Sequence, residues 1–326
     1  MKQNCNVKST FSPIALFVYK RINHTIKTIE ALQNNEYADK TDLFIFSDGY
    51  KGKEDYRQVA EVRSYIKKID GFKSVNVIER DKNFGLSKSI ISGVTHIVQN
   101  YGRIIVVEDD IVTSKYFLKY MNDYLTLYEK DENVISISGY FYPIKLSTDY
   151  NIEIFFLKGA ECWGWATWKR EWKLFEPDGK KLLLEIKKQK CKRELNLNNT
   201  FNFFKMLKEQ IAGKNDSWAI RWHVSAFLNN KYTLYPLKSL VYNSGLDGSG
   251  SHCIKTNCYD IQLNNEPIIC KKIEIKENNV IIKSLEKYFQ SLKIPFHLRI
   301  INYILKKIKK IFNIIINNDE VSKIKV

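Results

Sequence analysis

The chain has 326 residues, 44% hydrophobic and 13% aromatic, enough for a sizeable core in one large domain or two smaller ones, which argues against wholesale disorder. Its formal net charge of +16, with a pI of about 9.3, favours anionic partners: nucleotides, acidic membranes or nucleic acid. Its cysteines (5, 162, 191, 253, 258 and 270) include no CxxC pair, which argues against zinc ligation and a secreted disulfide framework and makes free thiols in a reducing cytoplasm the expectation.

The first half alternates short apolar runs with helical stripes. Ile14–Tyr19, Leu43–Ser47, Val75–Ile78 and Ile104–Val107 predict strands about thirty residues apart. Between them, Ile26, Ile29 and Leu32 share one helical face, as do Val59, Val62, Ile66 and Ile69. Leu86, Ile90, Val94, Ile97 and Val98 form a third stripe. A fourth helix is expected after residue 110, with Ser114 as its N-cap and Phe117, Met121, Tyr124 and Leu125 inward. Val134–Ser138 predicts another strand. Strands alternating with helices imply βαβ units and a mostly parallel sheet.

Polar groups follow each strand. Lys20-Arg21 comes after the first, Asp48-Gly49 after the second, and Arg80-Asp81-Lys82-Asn83-Phe84-Gly85 after the third. Glu108-Asp109-Asp110 follows the fourth. Parallel strands place these tips on one edge of the sheet, where open α/β sheets bind ligands. Carboxylates crowded at such a tip repel one another unless a cation sits between them, and Mg²⁺ or Mn²⁺ held by one or two carboxylates and substrate phosphates would fit. The plainer alternative is a solvated acidic turn. Asp48-Gly49 is, taken singly, a simple turn. No GxGxxG follows the first strand and no GxxxxGK[ST] appears, which argues against a dinucleotide fold and a P-loop enzyme.

The second half is aromatic and less regular. GAECWGWATWKREW, residues 159–172, carries Trp163, Trp165 and Trp168, which suit either a wall for stacking a sugar or a core cluster. Lys180–Arg193 predicts a solvated helix or loop. Asn215-Asp216-Ser217-Trp218 opens a helix over Trp218–Phe227, where Asp216 is either an N-cap or a general base facing a cleft. Asp247-Gly248-Ser249-Gly250-Ser251-His252 is a glycine-rich loop suited to closing over a phosphate.

Six segments occur in one order: PIALFVYKR, FIFSDG, IIVVEDD, GAECWGWATWKREW, NDSWAIRW and LYPLKSLVYNSGLDGSGSHC. Together they resemble bacterial cell-surface glycosyltransferases of the GT-A fold (family 2-like), and distantly the eukaryotic α-mannoside β-1,2-N-acetylglucosaminyltransferase. The resemblance covers roughly residues 12–253. It implies a Rossmann-like nucleotide-diphospho-sugar transferase fold, with a nucleotide-binding half (12–138), an acceptor and catalytic half (139–253) and an extension (254–295). It also implies a nucleotide-sugar donor, with UDP expected, Mn²⁺ or Mg²⁺, and inversion at the anomeric carbon. Carried over, Arg21 would contact the diphosphate, Asp48 the uracil and Asp109 the ribose, while Asp110 would bind the metal. Asn83 and Trp163 would line the nucleotide-sugar site, and Ser251 and His252 match a loop closing near the phosphates. The eukaryotic pattern has paired acids before the tryptophan, whereas here Asp216 is followed by Ser217. Asp216 is therefore the expected base and Asp247 the runner-up.

At the C-terminus, Ile300, Ile301, Ile304, Leu305, Ile308, Ile311, Phe312 and Ile315 recur at helical spacing beside Lys306, Lys307, Lys309 and Lys310. A basic amphipathic helix over 296–326 suits an anionic membrane surface, or else packs on protein. Residues 1–10 lack a hydrophobic signal region, and no uninterrupted apolar stretch reaches the roughly 18–20 residues that span a bilayer. The expectation is a cytoplasmic enzyme at the inner membrane face, acting on a glycan or lipid-linked glycan acceptor in lipopolysaccharide, capsule or exopolysaccharide synthesis. A sugar-phosphate nucleotidyltransferase is the alternative, although YKRINHT lacks the glycine such an N-terminal loop would carry. A basic nucleic-acid-binding protein is a weaker one, because the clearest Lys cluster lies on an apolar-faced helix; no nucleic-acid partner is expected.

Overall fold

The computed structural model describes residues 11–147, 150, 152–248, 256 and 258–293. The strands are β1 (Ile14–Val18), β2 (Asp42–Ser47), β3 (Ser74–Glu79), β4 (Arg103–Glu108), β5 (Ile111–Thr113), β6 (Val134–Ser138), β7 (Ile154–Lys158), β8 (Trp165–Trp168), β9 (Tyr232–Pro236) and β10 (Val241–Asn243). The helices are α1 (Ile22–Gln33), α2 (Tyr56–Ile66), α3 (Leu86–Tyr101), α4 (Phe117–Leu127), α5 (Lys169–Trp172), α6 (Gly179–Gln189), α7 (Lys192–Leu195), α8 (Phe203–Ile211), α9 (Trp218–Leu228) and α10 (Asn279–Ser291).

The chain is of the α/β class. An eight-stranded sheet runs β3-β2-β1-β4-β8-β6-β9-β7, with helices on both faces. Its first four strands are parallel, as in Leu16↔Ile45 and Leu16↔Val107. Beyond β4 the sheet is mixed: β8 enters antiparallel to both β4 and β6, and β7 antiparallel to β9. β1 lies between β2 and β4, so the chain winds outward to β3 and then returns to the other side of β1. That reversal opens a crevice at the carboxyl ends of β1 and β4, the usual ligand position in such sheets.

Strand β1 shows why its sequence is apolar throughout. Ile14, Leu16 and Val18 face α1, α2 and α4, while Ala15 and Phe17 face α3 and a tryptophan cluster. A strand covered on both faces cannot alternate with polar residues. Each such side chain removed from water contributes about 1.5–3 kcal/mol. The tryptophan cluster holds β8 to the helices: Trp165 stacks on Trp218 at 5.4 Å and meets Trp222 at 5.8 Å. The segment 258–293 packs on the same body. Tyr124 donates to the Ile269 carbonyl, and Ile281, Leu285 and Phe289 of α10 join Phe141, Phe155 and Tyr235.

Several local expectations are corrected. Ser114 lies two residues before the N-cap position of α4, and its hydroxyl donates to the Asn264 carbonyl. The cap of α9 is Ser217, which accepts from the Ile220 amide at 3.2 Å; a side chain one residue earlier cannot reach that donor. The Lys180–Arg193 segment is mostly α6, whose Leu182 and Ile186 are buried. Among the described residues no helix is long and apolar enough to cross a membrane.

His223 on α9 links this scaffold to solvent pH. Its half-buried ring stacks on Phe203 at 4.1 Å, and Nδ1–H donates to the Ala160 carbonyl at 2.9 Å. Burial lowers its pKa from 6.5 to about 4, against the Ala160 bond, which favours charge. The unfolded chain therefore takes up this proton first as pH falls. Stability from the neutral ring is complete above pH 6.5 and is lost on acidification toward pH 4. At pH 5 the loss is at most about 2 kcal/mol. Urea midpoints of wild type and His223→Gln should converge between pH 7 and pH 5; a constant difference between them would show that His223 does not titrate on unfolding.

Candidate functional site

The crevice between β1 and β4 is built around one guanidinium. β1 ends at Val18, and Arg21 occupies the N-cap position of α1. β4 ends at Glu108, and the next two residues bring Asp109 and Asp110 beside it. Arg21 Nη2 donates to Asp109 Oδ1 and, at 2.7 Å, to Asp110 Oδ2. All three side chains are largely buried, so their charges are poorly screened by water. Burial opposes the charge on Arg21, but Asp109 and Asp110 outweigh it and hold the guanidinium firmly ionised. Among the described residues its other terminal nitrogen, Nη1, is buried without a hydrogen-bond partner. A buried unpaired donor costs about 1–3 kcal/mol, more when charged, so this atom is suited to an anionic oxygen.

The carboxylates are not balanced by Arg21. Burial, then Asp110 and Asp109, push Glu108 up to about 8. Burial raises Asp109 to about 6 even though Arg21 pulls it down. The tip therefore carries more acid than its one guanidinium neutralises. The backbone around it is fixed by Thr28 Oγ1, which donates to the Asp109 carbonyl at 2.9 Å.

A second element closes over the tip. β5 pairs antiparallel with β10, Ile111 opposite Asn243, so the turn Ser244–Asp247 lies against Asp110. The Ser244 amide and hydroxyl both donate to the Asp110 carbonyl, at 2.8 and 3.0 Å. A methyl group on Gly245 would stand 2.1 Å from Asp110 Oδ2 and 3.0 Å from Arg21 Nη1. The same turn brings Asp247 to 3.3 Å from His24 Nε2, one turn along α1 from Arg21.

The structure thus gathers Arg21, Asp109, Asp110 and Asp247. Asp48 and Asn83 lie at the next tip and serve the loop there. The Asp48 carboxylate accepts from the amides of Gly49, Phe84 and Gly85, and Asn83 donates to the Gly49 carbonyl at 2.7 Å. These bonds hold the start of α3. Asp216 stands farther along the edge. Its carboxylate is 63% exposed and lies 3.6 Å from Arg221, which also reaches Ser87 at the start of α3. Of the three tryptophans in the aromatic segment, Trp165 and Trp168 are core residues, which removes them from a sugar-facing wall. Trp168 Nε1 donates to the Leu125 carbonyl instead. Trp163 is half-buried and meets Tyr140 edge-on at 4.6 Å. Ser251, His252 and the 296–326 helix lie outside the described residues.

His24, Thr28, Ser244 and Gly245 escaped the sequence reading. His24 carried a faint signal, three residues beyond Arg21 on one helical face. Gly245 carried none, because its constraint comes from a side chain 135 positions earlier.

Hard carboxylate oxygens at a tip short of positive charge suit Mg²⁺ or Mn²⁺. Asp110 would hold such an ion together with ligand oxygens, sharing its carboxylate with Arg21. Among the described residues no three His, Cys, Asp or Glu side chains form a ready-made ligand cluster; magnesium sites commonly use one or two carboxylates plus substrate phosphates.

No protein-family model and no curated protein matches the chain. Among solved structures it is similar to the mannosyltransferase PcManGT from Pyrobaculum calidifontis in complex with GDP-Man and Mn²⁺, at 12% identity and TM-score 0.30 over 40% of this chain and 36% of that one. It is also similar to S. aureus TarS, at 10% identity and TM-score 0.31 over 44% of this chain and 23% of that one. For S. aureus TarS 1-349 the values are 10%, 0.41, 73% and 61%. The matched region is thus less than two thirds of each of these proteins, and superpositions this loose assign no activity.

Removing the guanidinium should expose the imbalance of charge. Arg21→Ala should destabilise the fold by about 3 kcal/mol, because it leaves buried carboxylates unpaired. Adding Asp109→Asn should restore a substantial part of that loss. Chemical denaturation of the two single variants and the double variant measures this coupling; additive effects would mean that the pair is not energetically linked.

Proposed function

We propose that the chain is an inverting glycosyltransferase of the GT-A type, transferring a sugar from a nucleotide-diphosphate sugar, with UDP expected, to a glycan acceptor. The observation that carries this reading is the meeting of Arg21 with Asp109 and Asp110 at the reversal of strand order, with Arg21 Nη1 buried and without a partner among the described residues. A guanidinium donor beside surplus carboxylates suits a diphosphate accompanied by a divalent cation.

In this reading Asp110 would hold Mn²⁺ or Mg²⁺, which when bound would offset charge on the departing diphosphate. Arg21 donates from Nη1 to a phosphate oxygen and keeps the diphosphate in line for departure. Asp109 faces the ribose, while Asp48 and Asn83 shape the loop that meets the base. The acceptor hydroxyl attacks the anomeric carbon from the face opposite the diphosphate, and the bond to the diphosphate oxygen breaks as the new bond forms, inverting the centre. Asp216 takes the hydroxyl proton. Its exposure leaves it open to an incoming acceptor, although it sits apart from the Arg21 cluster. Asp247, beside His24, is the runner-up base. Ser251 and His252 belong to the loop expected over the phosphates.

The setting belongs to the same proposal. Residues 296–326, as a basic amphipathic helix, would rest on the anionic inner face of the cytoplasmic membrane, where each Lys contributes roughly 1 kcal/mol. That location suits a lipid-linked glycan acceptor of cell-surface polysaccharide synthesis. Deleting 296–326 should release the protein from anionic vesicles, and undiminished vesicle binding would defeat the anchor.

A thermal-shift screen of nucleotide sugars with and without Mn²⁺ tests the central reading. One donor should raise the melting temperature in a metal-dependent manner, and Asp110→Ala should abolish that response. Asp216→Asn should retain donor binding while turnover falls about 10²–10⁴-fold. A chain stabilised by no nucleotide sugar, or an Asp216→Asn enzyme with wild-type turnover, would overturn the corresponding assignment.

A further inference from the structure

One carboxylate at the same sheet edge has no part in the chemistry above. Glu161 lies between β7 and β8, in a segment held at both ends. Gly159 has φ +94° and Gly164 φ +58°, left-handed values that favour glycine. Each is also packed: a methyl group on Gly159 would stand 2.5 Å from the His223 ring, and one on Gly164 would stand 2.7 Å from Val241. His223 fixes the Ala160 carbonyl, and the Gly139 amide donates to the Gly164 carbonyl at 2.7 Å. The pairing of Trp165 with Val106 then sets this segment beside the tip of β4. Accordingly Cys162 feels the charges of Glu108 and Asp110 as well as that of Glu161.

Glu161 is half-buried, so one side of it is reachable while the rest is packed. Its Oε1 accepts from the Cys162 amide at 2.8 Å, and Oε2 has the Tyr142 hydroxyl at a long 3.4 Å. Tyr140, Tyr142, Tyr235 and Tyr259 all lie within reach of its charge. No cation is paired with it among the described residues. Burial raises its pKa despite the Cys162 amide and thiol, the Tyr142 hydroxyl and the Trp163 amide, which all favour its charge; the donors to Oε2 are the weaker part of this set. A carboxylate so placed costs stability unless a ligand completes its hydrogen bonds. The half-buried Trp163 indole stands two residues along, propped by Tyr140 at 4.6 Å and Tyr259 at 6.0 Å. A carboxylate with spare lone pairs beside a rigid aromatic face is suited to a sugar ring, which offers hydroxyl donors at its edge and C–H groups on its face.

We propose that Glu161 accepts hydrogen bonds from hydroxyls of a pyranose ring lying against Trp163. This rests on the nucleotide-sugar reading of the neighbouring tip and adds a sugar-specificity residue to it. The ring belongs either to the donor or to the acceptor; the recognition chemistry is the same.

The test uses the full chain with Mg²⁺, as wild type, Glu161→Gln and Glu161→Asp. Gln keeps the size and the acceptor for the Cys162 amide but removes the charge, while Asp keeps the charge and withdraws it by one methylene. In one arm, calorimetry compares UDP and GDP with UDP-glucose, UDP-galactose, UDP-N-acetylglucosamine and GDP-mannose. In the other, saturation-transfer NMR reads methyl glycosides of the same sugars in the presence of the nucleotide that binds. If the ring is the donor's, both variants lose roughly ten- to a hundred-fold in nucleotide-sugar affinity while nucleotide affinity is unchanged. If it is the acceptor's, donor affinity holds and the methyl-glycoside signal disappears. Variants that match wild type in both arms overturn the inference and leave the nucleotide-sugar reading standing. A wild type that gains nothing from the sugar in either arm overturns it as well. A wild type that binds no nucleotide defeats the nucleotide-sugar reading itself, and this inference with it. Should one variant fail to fold, the other decides between these outcomes.

Discussion

The Arg21 guanidinium shared between Asp109 and Asp110 is the contact on which the site depends. It joins the end of β1 to the end of β4 across the point where strand order reverses. Without it, three consecutive acids would lie desolvated at one tip. With it, Glu108 and Asp109 still titrate well above ordinary carboxylates. This tip therefore keeps an electrostatic deficit, and among the described residues no second Lys or Arg pairs with Asp109 or Asp110. Sites commonly retain such tension because the stabilisation lost in the empty state is recovered on binding.

The surrounding structure serves that tip. β5 and β10 are three residues each and give Ile111 and Val241 to the core, and their pairing lays the Ser244–Asp247 turn on the Asp110 backbone. Gly245 permits the approach, since any side chain would occupy the space of the Asp110 carboxylate. On the far side, Asp48 gathers three loop amides and so sets the start of α3, against which Arg221 and hence Asp216 are positioned. The tryptophan cluster of Trp165, Trp172, Trp218 and Trp222 then ties β8 to α9. Both flanks of the crevice are thereby anchored to one rigid sheet.

How much of this was legible depended on the range of the forces involved. β1, β2, β4 and β6 were visible because a strand buried on both faces is an apolar run, a local signature, whereas the edge strand β3 showed only as Val75, Val77 and Ile78 around an exposed Asn76. The acid at each tip was visible for the same reason: it ends the run. The β5–β10 ribbon left no such mark, because its stability comes from a partner about 130 positions away. The same holds for Gly245, and for the antiparallel entry of β8, which depends on how residues 159–164 turn back. Asp48 was legible as a tip residue, but its saturation by loop amides was not, since amide donors carry no side-chain identity. The spacing of the tryptophans suited either a sugar-facing wall or a core cluster, and burial settles it for Trp165 and Trp168 as core, while Trp163 is half-buried.

The acids along this edge differ in solvation, and solvation divides their possible roles. Glu108 and Asp109 are desolvated and crowded, so a neighbouring cation changes their energy most; they suit electrostatic work on a charged ligand. Asp216 is largely in water and paired loosely with Arg221, so it stays accessible to a group that enters from solvent. Glu161 falls between these cases, packed on one side and reachable on the other, with an incomplete set of donors. It can neither neutralise a diphosphate nor remain indifferent to what enters the crevice. A neutral ligand rich in hydroxyl donors completes its bonds without adding charge to a tip that already carries too much acid, and a sugar ring is such a ligand.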